Sequence, residues 1–477
     1  MTIAENPPKS MEARVIFERQ RSAFMRENNP SLAVRLARLD TIQTLLEENG
    51  DAIIKAISED FGHRSPQETR LADIIPTLTS LKHTRRRLKE WMRPRGLPTA
   101  LHFWPSRNLL LRQPLGVVGV VSPWNYPVFL ALVPAITALA AGNRVMLKPS
   151  EYTPRFAELL RRLVADRFPQ DLFAVVTGDA DVGRDFVALP FDHLLFTGST
   201  AVGRQVALAA AQNLTPVTLE LGGKSPAIID ESADIAAAAG SLAYGKMLNA
   251  GQTCVAPDYA LVPRANRDAF VAALTERMRR MYPRLADNPD YSSIVTDRHF
   301  ERLRALVEDA AAKGAKIVTM ESADANAAAA QRKFQPTILL DPTLDMRVMQ
   351  EEIFGPILPV MTYDNLDDAI RGINEGARPL ALYWYGSDTK HRDRVLTGTI
   401  SGGVTINDCM WHVAQEDAPF GGVGASGIGA YHGEWGFRTF SKEKPVFIQS
   451  RLSALPLMRP PYGRVFELLT ALVAKLI

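Results

Sequence analysis

Leu115-Gly116-Val117-Val118-Gly119-Val120-Val121-Ser122 is short, rich in valine and free of charge, and it lies in an uncharged stretch spanning residues 113–143. A membrane-crossing helix would be interrupted there by Pro114, Pro123, Pro127 and Pro134, and by Gly116 and Gly119. A buried parallel strand over 115–121 and a buried helix over 128–141 suit the composition better. Working outward, 144–147, 173–176 and 193–196 read as further short strands with helical segments between them, the signature of a parallel sheet wound with helices. A second alternating region follows Glu220, with strands expected at 226–229, 258–262, 316–320, 337–340, 357–363 and 380–385. The fold class is therefore α/β, with two doubly wound parallel-sheet units that meet near Leu221-Gly222-Gly223.

Ahead of this region, Ala33, Leu36, Leu39, Ile42 and Leu46 recur at helical spacing, and Ile53, Ile54 and Ile57 continue the pattern. Residues 93–98, Arg-Pro-Arg-Gly-Leu-Pro, break it. At the other end, Phe466, Leu469, Val473 and Leu476 share one helical face. Such a tail suits a membrane surface or, more commonly, a groove on its own protein or a partner. A chain of 477 residues exceeds what one core usually serves. Its 55 basic and 52 acidic residues leave a net charge of +3, too balanced for a nucleic-acid surface. The two cysteines, Cys254 and Cys409, make no disulfide framework, and a reducing compartment follows. Residues 1–20 carry Glu5, Lys9, Glu12 and Arg14 without an apolar core, which does not read as a secretory leader; the expected location is the cytoplasm.

Four segments carry candidate chemistry, and each has an ordinary reading beside it. Cys254 follows Gly251-Gln252-Thr253, as an exposed nucleophile on a tight loop would, although a lone cysteine is more often a small buried hydrophobe. Cys409 has no such setting and reads as structural. Glu220 stands between leucines ahead of Gly222-Gly223; burial there would lift its pKa towards that of a general base, and a turn-capping carboxylate is the alternative. Asn125, in Ser122-Pro123-Trp124-Asn125-Tyr126-Pro127, can donate to a developing oxyanion or simply form a turn. Gly198-Ser199, between a strand and a helix start, can present backbone N–H groups to a pyrophosphate or pack closely. The pattern is not G-x-G-x-x-G, and no acidic residue stands at the usual distance for a ribose contact.

Together and in order, these segments resemble the aldehyde dehydrogenase superfamily along nearly the whole chain. The matches are 123–127, Lys148-Pro149-Ser150-Glu151, 196–203, 219–226, 251–254, Glu351-Glu352-Ile353-Phe354-Gly355-Pro356 and Pro419-Phe420-Gly421-Gly422. The resemblance implies Cys254 as nucleophile, Glu220 as general base, and an oxyanion hole of the Asn125 side chain and the Cys254 backbone N–H. It implies that Trp124, Lys148, Glu151, Gly198, Ser199, Glu352 and Phe354 serve an NAD cofactor, with NADP possible. The resemblance implies a thiohemiacetal, then a thioester hydrolysed to a carboxylic acid, without a metal. The implied division is an NAD(P)-binding domain of 1–92 and 114–220, a catalytic domain of 221–410, a β oligomerisation arm of 93–113 and 430–450, and a tail helix within 451–477.

Residues 255–259, 421–427, 430–433 and 459–462 resemble the group that includes class 3 and fatty aldehyde dehydrogenases, which are typically homodimers. Residues 112–116 and 441–447 look like bacterial coniferyl aldehyde dehydrogenases, implying a hydroxycinnamaldehyde substrate; Tyr126, Met247, Trp411 and His412 are candidate pocket residues by their position near the motifs, and aromatic walls would suit a planar ring. The alternatives are an aliphatic aldehyde substrate, transfer of the acyl group to coenzyme A, and a non-catalytic cofactor-binding protein.

Overall fold

The computed structural model describes residues 9–320, 324–453 and 455–476. The Val-rich run forms the strand Val117–Val121 at the centre of a six-stranded sheet. In spatial order the strands are Gly427–Ile428, Val217–Leu221, His193–Gly198, Val117–Val121, Arg144–Lys148 and Phe173–Val175. All pairings are parallel except that of Gly427–Ile428 at the edge. Chain order runs outward one way from Val117–Val121 and then jumps back to His193–Gly198. The switch point thus falls between those two strands, where a crevice opens beyond their carboxyl ends. The helix Phe129–Ala140 follows the central strand and is buried nearly throughout, which accounts for the missing charge in this stretch.

A seven-stranded sheet runs Lys316–Thr319, Thr337–Leu340, Ile357–Tyr363, Tyr259–Pro263, Pro226–Ile229, Ala381–Tyr385 and Gly403–Ile406. It too is parallel but for one edge strand, Lys316–Thr319. The fold is thus α/β with two parallel-sheet units; the edge strand Lys316–Thr319 falls where 316–320 was expected, while its antiparallel direction and the short edge strand Gly427–Ile428 were not legible, since an edge pairing leaves no period of its own. A third, antiparallel sheet joins Arg95–Leu97, Arg107–Pro114 and Ser441–Ile448. Leu101, Trp104, Phe447 and Ile448 stand exposed along it.

The leading helix Lys9–Arg26 packs against the first sheet, and Leu32–Phe61 and Ile75–Trp91 pack against the buried helix Phe129–Ala140. Between Leu32–Phe61 and Ile75–Trp91 lies a single π-helical turn, Arg70–Ile74. Its extra residue swings Asp73 inward, where the carboxylate accepts the Val128 and Phe129 N–H groups at 3.0 and 3.1 Å and caps the buried helix. Arg64, fully buried, pairs with Asp73 at 2.9 Å; breaking such a pair costs about 3–5 kcal/mol. The last helix, Arg464–Leu476, half-buries Phe466, Leu469 and Val473 and leaves Val465, Leu468 and Leu472 exposed. Among the described residues, no helix is long and apolar enough to cross a membrane.

Candidate active site

Parallel strands end on the same side, so the loops that follow them converge. Asn125 lies between Val117–Val121 and the buried helix, Lys148 ends its strand, and Gly198 ends another. Glu220 is one residue from the end of Val217–Leu221. From the second sheet come Cys254, ahead of Tyr259–Pro263, and the loop of Glu352 and Phe354, ahead of Ile357–Tyr363.

The approach to Cys254 is a tight turn, Leu248–Gly251, in which Asn249, Ala250 and Gly251 all take positive φ. Strain of this kind persists only when neighbours enforce it. Buried Glu68, from the leading helices, accepts the Asn249 N–H at 3.0 Å and the Ser292 hydroxyl at 2.6 Å. Asn249 Nδ2 donates to the Asn125 carbonyl at 3.0 Å and to the Gln252 carbonyl at 3.2 Å. Gln252 in turn donates to the Ser293 carbonyl at 3.1 Å and accepts the Val295 N–H at 3.0 Å. A side chain on Gly251 would collide with the Gly355 carbonyl, so the cysteine loop and the Glu352 loop touch backbone to backbone here.

Asn125 Nδ2 donates one N–H to the Gln252 carbonyl at 3.1 Å. An amide has a second N–H, and this anchor fixes where it points, two residues from Cys254. Tyr126 and Thr253 share a hydrogen bond of 2.5 Å between their hydroxyls, joining the asparagine turn directly to the cysteine loop.

Cys254 is half-buried and its thiol is pushed up to about 12, first by burial, then by the charges of Glu352 and Glu220. The backbone N–H groups of Cys254 and Val255 act the other way. Glu220 is buried, neither carboxyl oxygen meets a protein donor, and burial alone holds it well above the usual carboxylate range. Glu352 is pushed up to about 8 by burial and by Asp258, opposed by the Gly223 N–H. Its carboxyl lies over Gly222, where any Cβ would overlap it.

Two residues that the sequence reading missed, Lys224 and Asp258, hold this loop, and a third, Lys246, lies beside it. Lys224 forms a close ion pair with Asp258 and donates to the Val348 and Glu351 carbonyls at 2.7 and 3.1 Å. Asp258 accepts the Ile353 N–H at 3.0 Å. Lys246 is fully buried nearby, and burial lowers it to about 8 despite the charges of Asp258 and Glu352. Lys224 follows Gly222-Gly223 directly, a signal that could have drawn notice; Lys246 sits in an Ala-rich helix that gives none.

At the switch-point crevice, the buried hydroxyls Ser122 Oγ and Thr197 Oγ1 find no protein partner. Beside them Ser199 caps the helix Thr200–Ala211, accepting the Val202 N–H at 3.4 Å, and Val202 on the first turn is exposed. Lys148 is buried, donates to the Pro149 carbonyl at 3.0 Å, and lies 3.5 Å from the Glu151 carboxylate. Trp124 packs against Phe61, His299 and Phe354, with ring centroids 5.9, 5.3 and 5.5 Å away.

A cavity of about 310 Å³ ends on Cys254. Tyr126 and Trp411 line it as expected, with Leu71, Ile75, Phe129, Tyr244 and Phe420. Two expected pocket residues do not. Met247 lies wholly within the core, and the next residue, Leu248, reaches the cavity instead. His412 turns away to bond Thr405 Oγ1 at 2.8 Å and pack near Tyr383 and Phe420. Burial lowers its pKa to about 4, so it is a neutral structural group.

Comparison with known proteins bears on the family and the fold. The model of the aldehyde dehydrogenase family matches residues 7–446. A Pseudomonas aeruginosa chain named "Probable coniferyl aldehyde dehydrogenase" is 50% identical over 96% of this chain and 95% of its own length. Among solved structures, the substrate-bound state of Staphylococcus aureus AldH superposes with a TM-score of 0.91 at 37% identity, covering 96% of this chain and 99% of its own. The indole-3-acetaldehyde dehydrogenase AldA of P. syringae, solved as a mutant with NAD+ and IAA, gives 0.84 at 27% identity, covering 92% and 89%.

Proposed function

We infer the reaction from one premise: the chain belongs to the aldehyde dehydrogenase family. It is an NAD(P)-dependent enzyme that oxidises an aldehyde to a carboxylic acid. Cys254 is the nucleophile. Its thiol gives up its proton to solvent water, the sulfur adds to the carbonyl carbon, and the oxyanion of the thiohemiacetal is met by the second N–H of Asn125 and the Cys254 backbone N–H. A nicotinamide cofactor, when bound, supplies the hydride acceptor. Loss of hydride from the thiohemiacetal carbon leaves a thioester on Cys254. Glu220 takes a proton from water, the hydroxide attacks the thioester carbon, and the Cys254 sulfur departs as the carboxylic acid forms.

The observation that carries this reading is the state of Glu220. Its buried carboxyl has no protein donor on either oxygen, its pKa is raised, and it is close enough to Cys254 to raise the thiol as well. A structural carboxylate would be capped. A raised, uncommitted one is a base suited to neutral pH. It also favours water over coenzyme A as acyl acceptor, because a thiol acceptor would leave the base with little to do.

The cofactor reading rests on the crevice. Two unsatisfied hydroxyls, Ser122 and Thr197, and the open helix turn after Gly198-Ser199 suit a pyrophosphate. Lys148 and Glu151 would hold the adenosine ribose, Glu352 the nicotinamide ribose, and Trp124 with Phe354 the neighbouring wall. Glu151 disfavours a 2′-phosphate, which makes NAD the preferred cofactor, while Lys148 leaves some use of NADP. Residues 1–92 and 114–220 would be the cofactor domain and 221–410 the catalytic domain. The three-stranded arm, within 93–113 and 430–450, exposes Leu101, Trp104, Phe447 and Ile448, which suits a homodimer in which it crosses to the partner. Both cysteines are free, which fits the cytoplasm.

The substrate is an aromatic aldehyde of the hydroxycinnamaldehyde type. The aromatic cavity wall and the name borne by the Pseudomonas relative support this reading. A kcat/KM panel of coniferyl, cinnamyl, benzyl and long aliphatic aldehydes, each with NAD and NADP, tests it. A strong preference for long aliphatic chains would refute it.

A further inference from the structure

The cavity that ends on Cys254 has an apolar wall, and one carboxyl interrupts it. Glu416 lines the cavity with Phe129, Tyr244, Trp411 and Phe420. Buried Ser80 donates to Glu416 Oε2 at 2.9 Å, which anchors one oxygen and, among the described residues, leaves Oε1 without a protein donor. Burial pushes this carboxyl up to about 7; the Ser80 hydrogen bond opposes the rise and the charge of Asp417 adds to it. An acid set in an apolar wall is costly unless something polar meets it. In small-molecule sites the few polar groups of a largely apolar pocket fix the ligand's orientation.

We propose that Glu416 determines specificity by receiving the ring hydroxyl of a phenolic aldehyde whose carbonyl reaches Cys254. This rests on the aromatic-aldehyde reading above. The pairing works in either protonation state: a carboxylate accepts the phenolic O–H, and the neutral acid can donate to the phenolic oxygen. Phe129, Tyr244, Trp411 and Phe420 supply aromatic faces for the ring between the two ends. An aliphatic aldehyde would leave the carboxyl facing methylene groups.

The test compares kcat/KM for 4-hydroxycinnamaldehyde and 4-methoxycinnamaldehyde. Both substituents donate electrons to the ring and only one carries a donor hydrogen. The unaltered enzyme should prefer the hydroxyl compound by about tenfold or more, the worth of one hydrogen bond to a carboxyl group. In Glu416→Leu the ratio should fall to near one, and Glu416→Gln, which still bonds a phenol, should keep most of it. A ratio near one in the unaltered enzyme overturns the proposal whether or not the variants fold, and so does an unchanged ratio in Glu416→Leu. Should neither ring aldehyde be oxidised while decanal is, the aromatic reading falls and this proposal with it. Oxidation of both ring aldehydes at equal efficiency removes only the role of Glu416.

Discussion

Replacing Glu220 by glutamine keeps shape and volume and removes only the ability to take a proton. Neither Glu220 oxygen accepts a protein hydrogen bond, so the change breaks no structural contact. The other carboxyl felt at Cys254, Glu352, lies over Gly222 and already accepts the Gly223 N–H. A positioned general base is worth about 100- to 10,000-fold, so thioester hydrolysis should slow by at least about 100-fold, or ~2.7 kcal/mol of barrier. Acyl-enzyme formation uses Cys254 and Asn125 and should survive. Rapid mixing with NAD and aldehyde, followed by nicotinamide absorbance, should therefore give a burst of one reduced cofactor per active site and then a slow steady state. Stability moves the other way. A carboxyl whose native pKa stands above its unfolded value favours the fold below the unfolded value, and that contribution is lost as pH rises through the native one. The loss is about 1.4 kcal/mol per pH unit across that window. The glutamine variant should thus melt at or above the unaltered protein at neutral to alkaline pH. A steady-state rate within threefold of the unaltered enzyme, or a missing burst, would refute the assignment of Glu220 to hydrolysis.

Four further outcomes follow from the same geometry. Alkylation of Cys254 by iodoacetamide in the cofactor-free enzyme should accelerate about tenfold per pH unit between about pH 7 and 9, because the thiol sits near 12; a flat profile would show a thiolate already formed. Glu352→Gln, removing the larger of the two opposing charges, should speed that alkylation severalfold at fixed pH, and an unchanged rate would deny the coupling. Asn125→Ala should lower kcat about 100- to 1,000-fold, as loss of an oxyanion donor does, with KM little altered; a pure KM effect would recast Asn125 as a binding residue. Glu68→Gln presents an amide to two donors, the Asn249 N–H and the Ser292 hydroxyl. It should cost about 1–3 kcal/mol by thermal melting and slow Cys254 acylation, and normal acylation would show that the turn holds itself.

The parts of the fold that were legible are those with a strong local signal. The charge-free Val-rich run could only be a buried strand, and its neighbours shared the pattern. The candidate site was legible as short motifs in order, which singled out Asn125, Glu220, Cys254 and Glu352. What failed was direction. Met247 and Leu248 are adjacent, yet one ends its helix facing the core and the other, just past the helix end, faces the cavity. His412 was a pocket candidate by its position near the motifs and turns to Thr405 instead. Contributions from far along the chain were also hidden. Leu71 and Ile75 reach the cavity, and Asp73 caps the buried helix, because a π turn inserts an extra residue. No periodicity announces such a turn. Glu68, Lys224 and Asp258 act through backbone groups of other segments, so their partners exist only in the fold.

The central claim is a covalent acyl group on one sulfur, and mass spectrometry reads it directly. Glu220→Gln enzyme is mixed with NAD and 4-hydroxycinnamaldehyde, quenched in acid within the burst, and digested. The added mass of a 4-hydroxycinnamoyl group is expected on the peptide containing Cys254, at close to one per chain, and none on the peptide containing Cys409. Reduced cofactor formed in full while Cys254 stays unmodified would contradict it.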